Sequence, residues 1–175
     1  MALIRILDRG GLFRQTAEGE PDLENMCGSA AKHFKVSPKG KLSFYKDDTV
    51  PVERIALGFA LSRERVDDVE FARLPEGVVA GIVKLEQCMG TTKLKDVNEQ
   101  HVDALDVSMA RLGRLVVAAK AAGEQDSMSG EQVAATILEQ LDVGQLTEKD
   151  VGEKLVESLK KTNAYKNALL RKAAG

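Results

Sequence analysis

The sequence predicts an α+β fold: a small, mostly antiparallel N-terminal sheet with two short helices, then an all-helical C-terminal part led by one long helix. Three observations predict it. Short apolar runs punctuated by turn residues fill the first half, the pattern of strands and hairpins. All five Phe (Phe13, Phe34, Phe44, Phe59 and Phe71) lie in that half. Beyond residue 98 the apolar spacing switches to a helical rhythm. A loop over 87–92 marks the boundary, giving an α+β domain over 1–92 and a helical domain or extension over 93–175.

Residues 2–7 read as a strand, with Leu3, Ile4, Ile6 and Leu7 apolar. Asp8-Arg9-Gly10-Gly11 is a turn signal, and 12–16 returns as the second arm of a hairpin. Asp22 is placed to cap a short helix through Asn25, Met26, Ala30 and Ala31. The next hairpin turns at Ser37-Pro38-Lys39-Gly40, where Pro in second and Gly in fourth place suit a type I turn. Phe34, Val36, Leu42 and Phe44 alternate toward the core, and Lys35, Lys39, Lys41 and Lys46 toward water. Thr49 is placed to cap a helix with Pro51 near its first turn, carrying Val52, Ile55, Ala56, Phe59 and Ala60 on one face. Residues 69–74 read as a strand and Pro75-Glu76-Gly77 as a turn. Residues 78–85 read as a central strand, because Val78, Val79, Ile82, Val83 and Leu85 leave few polar gaps.

The longest helical pattern covers 98–122. Val102, Leu105, Met109, Leu112 and Val116 repeat at alternating steps of 3 and 4, the rhythm of a helix that buries one seam. Gly113 offers a close approach for another backbone, and Gly123 a C-terminal stop. Ser129 with Gln132 matches a capping box, and Thr147 with Asp150 repeats that signature less fully. The two helices they open carry Val133, Ile137, Leu138 and Leu141, then Val151, Leu155, Val156 and Leu159. Tyr165, Ala168 and Leu169 mark a last short helix.

Composition weighs against several functional classes. A net charge of −2 provides no overall field for nucleic acid or an anionic membrane. Aromatics make up 4% of the chain with no Trp, so few platforms exist on which bases could stack. The basic end, with Lys160, Lys161, Lys166, Arg171 and Lys172, is as expected of cations near helix C-termini. No apolar run reaches the roughly 20 residues of a membrane span, and the N-terminus lacks a long apolar leader. The expected location is the cytoplasm.

Cys27, His33, Cys88 and His101 are the only Cys and His residues. Their spacing lacks a CxxC knuckle or a His pair one helical turn apart, so neither a metal nor another cofactor is expected. Cys27, His33 and Cys88 are the candidates for a thiol-based catalytic site, and Cys88 can meet His101 only through tertiary folding. Gly90-Thr91-Thr92-Lys93 lacks the upstream Gly and the residue order of a phosphate loop.

The sequence therefore favours a non-enzymatic module for protein–protein association or assembly through the helical part. Its expected interface is Val102, Leu105, Met109, Leu112 and Val116, and its expected partner a second copy or another protein. Two alternatives stand beside it: a nucleic-acid-binding regulator using the C-terminal helices, and an enzyme whose site assembles from distant residues.

Overall fold

The computed structural model describes residues 1–7, 13–15, 21–26, 37, 40–122 and 125–174. Its centre is a six-stranded antiparallel sheet in the order β6-β7-β4-β1-β5-β8. The strands are β1 (Ala2–Ile6), β4 (Leu42–Lys46), β5 (Val69–Pro75), β6 (Lys84–Gln87), β7 (His101–Leu105) and β8 (Gln125–Met128). A separate antiparallel ribbon joins β2 (Phe13–Gln15) to β3 (Pro21–Met26). The helices are α1 (Val52–Ala60), α2 (Glu76–Ala80), α3 (Lys95–Glu99), α4 (Met109–Ala122), α5 (Gly130–Asp142), α6 (Glu153–Leu159) and α7 (Asn163–Ala174). The architecture is α+β, with strands distributed through the chain. No helix among the described residues is long and apolar enough to cross a membrane.

Side-chain alternation divides the core between the two faces of the sheet. Ile4 on β1 and Val69 and Phe71 on β5 point to one face, where they pack with Ile55 of α1, Ile137 of α5 and Leu155 of α6. Leu3, Phe44, Leu74 and Ala104 point to the other, against Val79 of α2 and Leu112, Leu115 and Ala119 of α4. The expected apolar faces of β1, β4 and α1 therefore do meet the core. Ser129 and Gln132 form the reciprocal capping box at the start of α5. Thr147 bonds Asp150 at 2.7 and 2.8 Å, but this contact precedes α6, whose N-cap is Gly152.

Several expectations need correction. The part beyond residue 93 is not all-helical, because β7 and β8 lie there and complete the sheet. The expected helix over 98–122 is three elements: the end of α3, then β7, then α4. The strand prevails because 101–105 also has a period of two: Val102 and Ala104 face the α4 side, while His101 and Asp103 face the other. β7 then pairs on both edges, with β4 and β6, which satisfies its backbone. Asp106, at φ 51°, breaks the chain direction before α4. Gly113 has open space where a Cβ would stand, so no backbone approaches it.

Residues 78–85 are not a central strand. Residues 76–80 form α2, which buries Val79, and β6 begins at Lys84 on the sheet's edge. The apolar density there reflects a helical turn and a loop resting on the core rather than two-sided sheet burial. Residues 21–26 form β3 in place of the start of a helix, and β2 pairs with β3 rather than with β1. Pro51, not Thr49, occupies the N-cap of α1. The turn at 37–40 closes through Gly40 N to Ser37 O at 2.9 Å, with Gly40 at φ 70°. Phe34, Val36, Lys35, Lys39 and Gly123 lie outside the described residues.

Candidate functional site

The face of the sheet that carries Ile4 and Phe71 is apolar at its centre and polar toward the β6 edge. Register explains the change. Ser43 on β4 stands opposite Asp103 on β7, which stands opposite Glu86 on β6. One step along, Tyr45 stands opposite His101, and Cys88 continues the ladder by donating its N–H to His101 O at 3.1 Å. Directly opposed residues share a face. Three strands thus place Lys41, Ser43, Tyr45, His101, Asp103, Glu86 and Cys88 on one surface.

A loop contact holds Cys88 in position. Gly90 N donates to Asn98 O at 2.9 Å, and the Asn98 side chain bonds Thr92 N, Oγ1 and O at 2.7 to 2.9 Å. Gly90 is required for this approach, since a Cβ there would lie 3.1 Å from Asn98 Cα and 3.2 Å from His101 Cβ.

Within the patch His101 lies between a thiol and a carboxylate. Its Nδ1 is 3.1 Å from Cys88 Sγ, and its Nε2 is 3.7 Å from Asp103 Oδ1. The Tyr45 ring packs against the imidazole with centroids 5.0 Å apart. Asp103 Oδ2 accepts from Lys41 Nζ at 3.0 Å, and Ser43 Oγ is 3.5 Å from Oδ1. Lys41 also lies 3.9 Å from Glu86. Lys41, expected to face water, is thus tied to the carboxylate, and Lys46 likewise pairs with Glu76 at 3.7 Å.

Burial sets the protonation of the pair. It pushes the Cys88 thiol up, and the negative charge of Asp103 adds to the effect. Burial also holds the His101 imidazole below its ordinary value; Asp103 opposes this and Lys41 reinforces it. Burial raises the Tyr45 hydroxyl to about 12. At neutral pH the arrangement favours a thiol beside a neutral imidazole over a thiolate beside an imidazolium. With the ring proton on Nε2, Nδ1 is free to accept from the thiol or to bind a cation that replaces the thiol proton.

Of the expected thiol-site residues, Cys88 is brought together with His101, whereas Cys27 and His33 lie outside the described residues. Asp103 and Lys41 are further members of the cluster that were not singled out as site residues from the sequence. The signal for them was the shared alternation of Glu86 with Cys88 and of His101 with Asp103, readable only once β6 and β7 are taken as paired strands. Cys88, His101 and Asp103 place potential ligand atoms within 4.8 Å of one another, a clustering that spacing in the sequence does not reveal.

The five expected interface residues fall on two elements. Val102 and Leu105 lie on β7, and Met109, Leu112 and Val116 on α4. Val102 and Leu112 are buried in the core, Leu105 and Val116 are half-buried, and Met109 is 81% exposed.

No family model matches the chain, and neither does any curated protein or solved structure.

Proposed function

We propose that this chain is a protein–protein association module that pairs with a second copy of itself through its C-terminal helices. One observation carries the reading: α7 is a helix of 12 residues with no buried residue among those described, and its Leu169 and Leu170 are 53% and 69% exposed. Isolated helices of this length are marginal in water, and the fold only half-buries Ala164, Tyr165 and Ala168, so a second surface over the exposed leucines would add burial that α7 lacks.

Charge supports a second copy as that surface. The groove between α5 and α7 has Leu138 and Ala168 among its lining, with Glu139 and Asp142 on the α5 side and Arg171 and Lys172 on the α7 side. Lys172 and Asp142 pair within one chain at 2.8 Å, so a two-fold axis would rely on Arg171 of each copy meeting Glu139 of the other for the self-complementarity that a symmetric dimer needs. Ion pairing weighs against the nucleic-acid alternative: Lys160 bonds Glu157 at 2.7 Å and Lys172 bonds Asp142 at 2.8 Å, which weakens the basic end as a phosphate surface. The cytoplasm remains the proposed location; it would keep the free Cys88 thiol reduced.

Light scattering over a concentration series tests the reading. The expected mass rises toward twice that of one chain and returns to one chain in the double variant Leu169→Asp/Leu170→Asp. A single-chain mass for the wild type throughout would refute it.

A second reading, a thiol-dependent enzyme, draws on the 3.1 Å contact of Cys88 with His101. In it His101 would act as base for Cys88 and Asp103 would orient the ring. The raised thiol weighs against a ready-made nucleophile. Alkylation rates against pH separate the two: a thiolate forming well below pH 8 would favour the enzyme, since an ordinary Cys titrates near about 8.5.

A further inference from the structure

We propose that Cys88 Sγ, His101 Nδ1 and Asp103 Oδ1 bind one divalent cation of the borderline-soft class, Zn²⁺ foremost, with water completing a tetrahedral shell. This inference goes beyond the association reading and does not depend on it.

Donor type is the first support. Thiolate, imidazole and carboxylate are the protein ligands that Zn²⁺ takes, and three of them plus water is the composition of an open site. Distance is the second. One ligand atom from each of the three residues lies within 4.8 Å of the other two, and Sγ to Nδ1 is 3.1 Å. Bonds of about 2.3 Å to sulfur and about 2.0 Å to nitrogen in a tetrahedron separate those ligand atoms by roughly 3.5 Å. The thiol and imidazole therefore have to part by only a few tenths of an ångström, while a side-chain rotation brings Asp103 in.

The surroundings fit the same ligand. Lys41 holds Asp103 Oδ2 at 3.0 Å, and the ion would displace the longer 3.5 Å contact of Ser43 Oγ with Oδ1. Tyr45 packs on the His101 ring and limits its rotation. Outer partners of this kind orient ligands and sustain affinity. Charge is the last support. With the thiol protonated, Asp103 and Glu86 against Lys41 leave one net negative charge in the cluster, and losing the thiol proton makes it two. A divalent cation neutralises that sum. Binding replaces the S–H bond of Cys88 with an S–Zn bond and releases the proton to solvent; His101 binds as the neutral ring and releases none.

Co²⁺ titrated into the reduced full-length chain tests the proposal, since a thiolate bound to Co²⁺ gives a near-ultraviolet charge-transfer band. The expected band saturates at one equivalent, is displaced by Zn²⁺ and accompanies release of one proton per ion. It should vanish in Cys88→Ser, weaken about tenfold or more in affinity in Asp103→Asn, and persist in Cys27→Ser. Circular dichroism checks that each variant is folded. If Cys88→Ser does not fold, the wild-type chain supplies the equivalent result: Zn²⁺ should block alkylation of Cys88, read by peptide mass. Absence of the band, its survival in Cys88→Ser, unchanged affinity in Asp103→Asn or unprotected Cys88 would each overturn the proposal. None of these readouts depends on solution mass, so failure here is distinct from failure of the association reading.

Discussion

Helices α1 and α7 are held in place by opposite means. Among its nine residues α1 buries six, including Ile55, Ala56 and Leu57, between the sheet and α5. Its N-cap is Pro51, which supplies no side-chain hydrogen bond. Helix α7 buries none of its described residues, but its first N–H groups are held from outside: Glu131 on α5 accepts from Asn163 N at 3.0 Å and Ala164 N at 2.8 Å. Burial holds α1, where a missing cap costs little, whereas α7 is held by a charge at its N-terminus, the Lys172–Asp142 ion pair and half-buried residues such as Ala164 against the core. Tertiary burial thus leaves a helix's end contacts optional, and a helix with less burial depends on them more. The exposed leucines of α7 also have no role in the fold that burial could explain, which is why the association surface is assigned there.

The largest effect should come from the α1 side of the comparison. Ile55→Ala removes a fully buried side chain and should lower stability by about 2–5 kcal/mol, read as a shift in the urea midpoint. Leu112→Asp places a carboxylate in the α4 core and should unfold the chain rather than merely dissociate it, as judged by near-ultraviolet circular dichroism. A folded Leu112→Asp monomer would return the interface to α4.

A smaller effect follows from pH. The His101 ring is held below its ordinary value, so the unfolded chain binds a proton at a pH where the folded chain does not. Its contribution to stability is present above the ordinary value of about 6.5 and is lost as pH falls through the lower folded value. The urea midpoint should therefore fall across that window, and His101→Gln should flatten the fall. Glu131 acts in a more acidic window. The backbone N–H groups of Asn163 and Ala164 hold its carboxyl below the ordinary 4.5. Its hold on α7 is present above that ordinary value and released as pH falls through the lower folded one. Glu131→Gln should then speed amide exchange at 163–166 at neutral pH while leaving α1 unchanged. If α1 responds equally, the two helices share one cooperative unit and the contrast between them fails.

What the sequence made legible were elements with a single dominant signal. The apolar face of α1, the strand at 69–74 and the Ser129–Gln132 box were all visible. Segment 101–105 was not, because Val102 and Leu105 satisfy the helical spacing while Val102 and Ala104 satisfy the strand spacing. Pairing with β4 and β6 decides between them, and that pairing is remote in sequence. The candidate site was hidden for the same reason. Cys88 and His101 are cross-strand neighbours, so misreading β7 as helix removes their shared face. The anchoring of the 88–92 loop by Asn98 and Thr92 depends on local hydrogen bonds that no periodicity reports.

The most direct test of the central claim is hydrogen exchange of α7 measured against chain concentration, with α1 as the internal reference. The account predicts that α7 amides gain protection as concentration rises, that α1 amides do not change, and that Leu169→Asp/Leu170→Asp abolishes the gain. Exchange in α7 that is the same at every concentration would contradict it.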